Sequence, residues 1–582
     1  MHDVRIVLLA LLLGCSHIAH AGAAEGFSAL LDEAWEWQLA QYPTMASSLG
    51  DRRYNDQWTD NSLAAIERRQ KETREFLKRT YAIDRAALSA DDQLNHELFR
   101  RELQDSIDLA AFNGHLIPFS QRGGVQNLEN TTSSLRFSTI KDYDDWLARM
   151  GQVEEVIEQT IDRAEKGRKT GYMSPKVLMQ RIPEQIAAQL VDDAEASPFF
   201  KIFEELPDTI PAAEQVRLKA TARSTITETV LPAYRKLARY FSETYLPASR
   251  ESIGLSALPN GKEWYELKAR SFTTTRMTPD EIHRLGLSEV KRLRDDMQVI
   301  IDKLDFGGGF QDFLVFLRTD PQFYFDNPDD LYESYLATSK RIDPELVNQF
   351  GLLPRMPYGV KPIPDSIAPD TTTAYYSRPA ADGSRAGTYW VNLYKPEVRP
   401  KYEIEVLTVH EAMPGHHLQI SLQQELVDMP NFRRYSGFTA FVEGWGLYSE
   451  SLGYDLGLYK DPYSEFGALT YEMWRAVRLV VDTGIHYKGW TRQQAIEFFQ
   501  DNAAKTELDI INEIDRYISM PGQALAYKIG QLKIRSLRQN AEIALGDRFD
   551  VRAFHDELLG GGALPLDILQ QRMDAWLEEQ IQ

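Results

Sequence analysis

His410-Glu411-Ala412-Met413-Pro414-Gly415-His416-His417 sets two imidazole positions and a carboxylate within eight residues, just after an apolar segment. In the H-E-x-x-H pattern of zinc hydrolases, the two histidines lie about 40° apart around a helix and about 6 Å along it. Both then reach one ion, and the glutamate beside the first serves as general base. Here the spacing is longer. An unbroken helix would carry His416 about 120° off the His410 face and about 9 Å along the axis; His417 would be nearly in register but about 10.5 Å away. Pro414 changes this, because it has no N–H for the His410 carbonyl, its ring crowds that carbonyl, and it drives Met413 out of the α region. Gly415 accepts backbone angles that other residues resist. The chain is therefore expected to bulge or break between the histidines and return His416 to the place of the second ligand, with His417 as the alternative.

A catalytic zinc takes three protein ligands and keeps one position for water. The third candidate is Glu443, in Phe441-Val442-Glu443-Gly444-Trp445-Gly446-Leu447-Tyr448-Ser449-Glu450. An unpaired carboxylate in so apolar a run is costly to bury, and a metal would satisfy it. Glu450 lies two turns further on the same face, where it is either a partner orienting a histidine or a solvated residue.

His410 to Gln419 matches the pattern H-E-A-x-P-G-H-H-x-Q, by which the chain resembles the bacterial family known as domain of unknown function 885. That family in turn resembles the gluzincin metallopeptidases, which pair a His-Glu-…-His helix with a later glutamate ligand. Glu443-Gly444-Trp445 is similar to the Asn-Glu-Gly-Phe-Ala segment of gluzincin aminopeptidases, and dipeptidyl peptidase III carries a comparably expanded motif. The resemblance implies a mainly α, multi-helix gluzincin-like fold with a small β element before the zinc helix. It implies a metallopeptidase in which His410, His416 and Glu443 hold Zn(2+) and Glu411 is the base.

Further along, Arg478, Asp482 and His486 recur every four residues, so one helical face carries a cation, an anion and an imidazole among aliphatics. That face is a buried ion-pair ladder or a wall of the site. Pro521 to Gly530 resembles the segment of Taq-type carboxypeptidases that presents a tyrosine to the cleft. Tyr527 is on that basis the candidate donor to a developing oxyanion, with His486 behind it. Gly383 to Leu393 reads as a glycine-rich corner feeding a short strand. The gluzincin comparison implies that residues 388–393 hold an extended substrate by the strand edge.

No low-complexity or proline-rich linker and no internal repeat divides the 582 residues, so residues 25–582 read as one helical body. Long amphipathic runs at Ser28 to Leu39, Leu63 to Tyr81, Lys141 to Lys169 and Pro279 to Leu304 support it. Prolines between 354 and 400 mark an irregular stretch before a helix expected to begin at about 404.

The formal net charge of −21 argues against nucleic acid or an anionic membrane surface as partner. Residues 1–24 read as an export signal: Ile6 to Leu13 is an apolar core behind Arg5, too short to span a membrane. Leu12-Leu13-Gly14-Cys15 resembles a lipobox whose cysteine is acylated, the preferred reading, while Ala19-His20-Ala21 offers ordinary cleavage. Cys15 is the only cysteine, so disulfides and cysteine catalysis are excluded. The expected protein is periplasmic and anchored, if at all, through Cys15; the gluzincin resemblance implies a deep cleft that favours short peptides as substrates. A zinc amidohydrolase acting on another small amide, and a lipoprotein scaffold without catalysis, are the alternatives.

Overall fold

The structure is a computed structural model describing residues 3–365 and 368–582, with side chains from 22 onward except at Asp370. The side chains of residues 1–21, Cys15 among them, lie outside the described residues, and with them most of the expected export signal. The fold is mainly α, and the described chain divides into two compact units. One comprises residues up to Glu251 together with Asp428–Phe432, the other Ser252–Val427 and Arg433–Gln582. The passage from one to the other at Glu251 carries no change of composition, so the sequence alone gives no sign of it. No helix among the described residues is long and apolar enough to cross a membrane.

The first unit contains α1 (Asp3–Gln41), α2 (Leu63–Ala82), α3 (Ala90–Ala110), α4 (Ile140–Gly151) and α5 (Val153–Thr170). The amphipathic run read as continuous from Lys141 to Lys169 is two helices. They meet at Gln152, whose side-chain amide donates to the Asp56 carbonyl at 2.7 Å and anchors the junction. Trp146, Phe199 and Tyr234 form the centre of this unit. Arg149 is fully buried there, donating to Ser47 Oγ and to the Gln57 and Tyr54 carbonyls. These acceptors replace the water of its Nε and Nη2, while Nη1 has no partner.

The second unit carries the candidate site. It opens with α6 (Pro279–Lys303), started by a Thr278–Glu281 capping box. A three-stranded sheet follows, made of β1 (Tyr358–Pro362), β2 (Ala374–Ser377) and β3 (Gly387–Val391), in the order β1-β3-β2. The strand expected near 388–393 is thus present, but it is the middle one. β1 pairs with it in parallel and β2 antiparallel, Tyr376 lying opposite Tyr389. With both edges hydrogen-bonded, β3 has none to offer an extended substrate, so the edge-binding role expected for it is corrected.

Then come α7 (Ile404–Glu411), α8 (His416–Glu425), α9 (Thr439–Leu452), α10 (Pro462–His486), α11 (Glu507–Ser519) and α12 (Ala526–Leu545). α10 is the axis of the unit: Phe466 to His486 is buried at every position except Leu469, and α6 runs along it. α9 and α12 cross at Gly444 and Gly530, where a Cβ on Gly530 would stand 1.9 Å from the Ala440 carbonyl oxygen and 2.7 Å from Gly444 Cα. Only hydrogen at both positions allows that approach.

Gly530→Ala is therefore expected to lose about 1–3 kcal/mol in urea unfolding, the usual cost of overpacking a close-packed interior. Gly151→Ala, where an added Cβ meets nothing within 4 Å, should leave stability unchanged or slightly raised.

Candidate metal centre

The two histidines of the motif are separated by a true break. α7 ends at Glu411, Ala412 and Gly415 take non-helical angles (φ −102°, ψ −110° and φ −73°, ψ −126°), and α8 begins at His416. The Met413–Pro414 peptide in the break is cis. Gly415 lies hard against the preceding turn, where a Cβ would meet the His410 carbonyl oxygen at 1.9 Å. Trp445, on α9, donates its indole N–H to the Pro414 carbonyl at 2.9 Å. That bond fastens the break to the helix carrying Glu443, and sequence reasoning missed it. The clue was available, since a buried indole N–H requires an acceptor.

The outcome is a compact donor set. One ligand atom each from His410, His416 and Glu443 lies within 4.8 Å of the others. Glu443 Oε2 is 3.4 Å from His416 Nε2 and 3.8 Å from His410 Nε2. Tetrahedral donors about 2.1 Å from a zinc ion stand ~3.4 Å apart, so the spacing suits one such ion. Glu443 Oε2 is buried and accepts no hydrogen bond, although an orphaned carboxylate oxygen is expensive. Gly446 completes the cradle: a Cβ there would press on His410 Cε1 at 2.8 Å and His416 Cε1 at 3.2 Å. The His416 and Glu443 side chains keep 11% and 18% exposure against 3% for His410, which leaves one face of the set accessible.

Around these donors the supports are specific. His410 Nδ1 donates to Glu450 Oε1 at 2.7 Å, which directs Nε2 toward Glu443. Glu450 is thus the orienting partner and not a solvated residue. It is itself paired with Arg475 at 3.3 Å, a residue the sequence reading passed over. Burial opposes a charged imidazole at 410, but the Glu443 and Glu450 carboxylates outweigh it and raise its pKa to about 9. Burial likewise opposes ionisation of Glu443, yet the His410 and His416 imidazoles facing its carboxylate hold the carboxyl well below the usual range.

His417 stands apart from the donor set. Its Nε2 donates to the Met356 carbonyl at 2.9 Å and its Nδ1 accepts from Tyr376 at 2.8 Å, so neither nitrogen is open to an ion. Burial pulls its pKa down to about 4 and keeps it neutral. Glu411, the last residue of α7, is half-buried and contributes no atom to the donor set.

The four-residue stripe on α10 is a buried ladder. Arg478 is paired with Glu513 and donates through Nε to the Tyr517 hydroxyl oxygen. Asp482 takes hydrogen bonds from Tyr265 at 2.6 Å and Gly522 N–H at 3.0 Å, and burial raises its pKa to about 7. Neither is a metal ligand. His486 is corrected as a catalytic candidate: its Nδ1 accepts from Leu255 N–H and its Nε2 donates to the Tyr517 carbonyl, within a fully buried stack on Tyr265. Tyr527 is different. Its hydroxyl accepts from Arg516 at 3.0 Å and Gln523 at 3.3 Å and donates to no described residue, so its proton is free to be given.

Residues 43–573 match the family described as bacterial protein of unknown function, DUF885. The chain belongs to this family. It is similar to the crystal structure of a candidate lipoprotein from Colwellia psychrerythraea, with a TM-score of 0.89 and 29% identity, over 95% of this chain and 99% of that one. It also resembles the structure of a candidate lipoprotein of unknown function from Shewanella oneidensis, with a TM-score of 0.71 and 18% identity, over 94% and 99% of the two chains; that likeness is one of fold alone. No curated protein matches.

Two outcomes are expected from zinc titrations of the purified family member. His416→Ala should lose most of the bound metal and His417→Ala should retain it, as read by elemental analysis after dialysis. Because a proton on His410 competes with the ion below about pH 9, affinity should rise with pH, about tenfold per unit between pH 7 and 9 for one displaced proton. A flat profile would detach the metal from His410.

Proposed function

We propose that this chain is an exported zinc-dependent hydrolase, most simply a metallopeptidase acting on short peptides, with a gluzincin-like arrangement of its site. The observation that carries the proposal is the converging trio His410, His416 and Glu443, with its buried, unpartnered carboxylate oxygen and the Glu450 carboxylate behind His410. Two imidazoles and one carboxylate leave a fourth position open, as catalytic zinc sites do and closed structural sites do not. The family match and the helical fold are compatible with this reading but do not bear on chemistry.

A zinc ion held there supplies Lewis acidity, bringing the pKa of a water down to about 7 and polarising a carbonyl. The chain's own residues do the rest. Glu411 follows ligand His410 directly and points about 100° around the helix from it, a placement suited to taking a proton from water and not to a fourth ligand. Tyr527, whose hydroxyl accepts from Arg516 and Gln523, keeps its own proton and would donate it to oxygen as negative charge develops on the substrate. Glu450 and Arg475 hold the His410 ring, so their part is orientation.

Export is supported by the Arg5 and Ile6 to Leu13 segment, and a lipid anchor by Leu12-Leu13-Gly14-Cys15 together with the description of the Colwellia psychrerythraea relative as a candidate lipoprotein. On this reading the protein is periplasmic and anchored, if at all, through acylated Cys15.

Glu411→Gln tests the chemistry apart from the metal. It keeps shape and hydrogen bonding but loses the proton acceptor, so zinc content should be unchanged while hydrolysis of a peptide substrate falls by roughly two to four orders of magnitude. Wild-type turnover in that variant would end the proposed mechanism.

A further inference from the structure

We propose that Arg478 and Arg516, with Tyr527 between them, form a carboxylate-binding pocket that takes the free C-terminus of a peptide substrate. The proposal begins from an imbalance of charge inside the second unit. Glu513 Oε2 accepts from Arg478 Nη2 at 3.1 Å and from Arg516 Nη1 at 3.2 Å, so two guanidiniums share one carboxylate. The next acid, Asp482, is hydrogen-bonded to Tyr265 and Gly522 and also feels the Arg516 charge. A third cation, Lys268, faces Asp482 rather than Glu513. The remaining hydrogen bonds of the two arginines go to neutral groups: Arg478 Nε to Tyr517, Arg516 Nη2 to Gln523 and Tyr527.

Arg478 is 2% exposed, yet its Nη1 has no partner. A buried guanidinium with an open N–H is costly and calls for an acceptor. The pocket is not sealed, since the Arg516 side chain retains 13% exposure. Its walls are aromatic. Arg478 lies over the Trp474 ring at 4.5 Å and over the Tyr527 ring at 4.2 Å. A surplus of one positive charge, rigid guanidinium planes and apolar walls fit a planar monoanion. A phosphate dianion would need more cations, and the net charge of −21 disfavours polyanions generally.

Position ties the pocket to the metal centre along two separate helices. On α10, Arg478 is three residues beyond Arg475, whose guanidinium pairs with the Glu450 that orients His410. On α12, Tyr527 is three residues before Gly530, which abuts Gly444 beside ligand Glu443. Each step is one helical turn, about 5 Å. Both links set the pocket beside the side chains that support the metal centre. On this proposal the substrates are peptides held by a free C-terminus. The identity of the carboxylate rests on the peptidase reading; the pocket itself does not.

Calorimetric titration of the zinc-loaded protein with N-acetyl-dialanine, its C-terminal amide and inorganic phosphate tests the pocket without requiring turnover. The acid should bind about 10- to 100-fold more tightly than the amide, the usual worth of charge-assisted hydrogen bonds. Arg516→Gln should remove that preference while retaining zinc and its thermal transition, and Arg516→Lys should restore part of it. Equal binding of acid and amide, or tighter binding of phosphate, overturns the proposal, and the wild-type comparison decides even if the variants fail to fold. Preference for the acid with no hydrolysis of any peptide would refute the peptidase reading and leave the pocket. Cleavage of C-terminally capped peptides at the rate of free acids would do the reverse.

Discussion

The second unit depends on burying a row of ionisable side chains along one helix. Glu472, Arg475, Arg478, Asp482 and His486 follow one another at helical spacing on α10, and none is more than 9% exposed. Each must find its partner in the interior, and each partner comes from a different part of the chain. Glu472 meets Lys528, Arg535 and Arg292, which outweigh burial and hold its carboxyl at about 2. Arg475 meets Glu450, Arg478 meets Glu513, Asp482 meets Tyr265, and His486 meets Leu255 and Tyr517. Removing one member of a buried pair typically costs about 3–5 kcal/mol, because the other is left uncompensated. The row thereby sets the rotation of α6, α9, α11 and α12 about their common axis.

The candidate metal centre is built on that register. The Arg475–Glu450 pair fixes the carboxylate that orients His410, so the ligand ring is positioned from α10 although it belongs to α7. The Gly444–Gly530 contact brings α12 to the helix of Glu443, and the Trp445 bond to Pro414 holds the break at the height where His416 faces Glu443. Structural and chemical demands coincide here. The same helix spacing that packs the unit sets the separations among the donors.

Much of this was legible in the sequence because the relevant signals are local. Proline and glycine inside a helical pattern announce the break between His410 and His416, and an acid in an aromatic run announces Glu443. The start of α7 at Ile404 and the limits of α6 follow from caps and periodicity. What could not be read is what depends on partners distant in sequence. His486 has the composition of a catalytic histidine, but Leu255 N–H and the Tyr517 carbonyl occupy it, and both lie far along the chain. His417 stood as the alternative to His416, and it is Met356 and Tyr376, distant in sequence, that claim its nitrogens. The strand at 387–391 was found, whereas its place in the middle of the sheet depends on two further strands whose order no local pattern encodes.

The three donors lie between positions 410 and 443, while the charges that support them come from much further along the chain. Closing so short a loop costs little chain entropy, and the cost grows only slowly with length. During synthesis, the segment holding all three donors leaves the ribosome before Arg475, and well before Lys528 and Arg535 on α12. A cation present at that moment meets two imidazoles and a carboxylate on a chain still without its core. Binding at this stage would lower the free energy of the unfolded ensemble as well as that of the native state, so the ion would add less to measured stability than its native affinity implies.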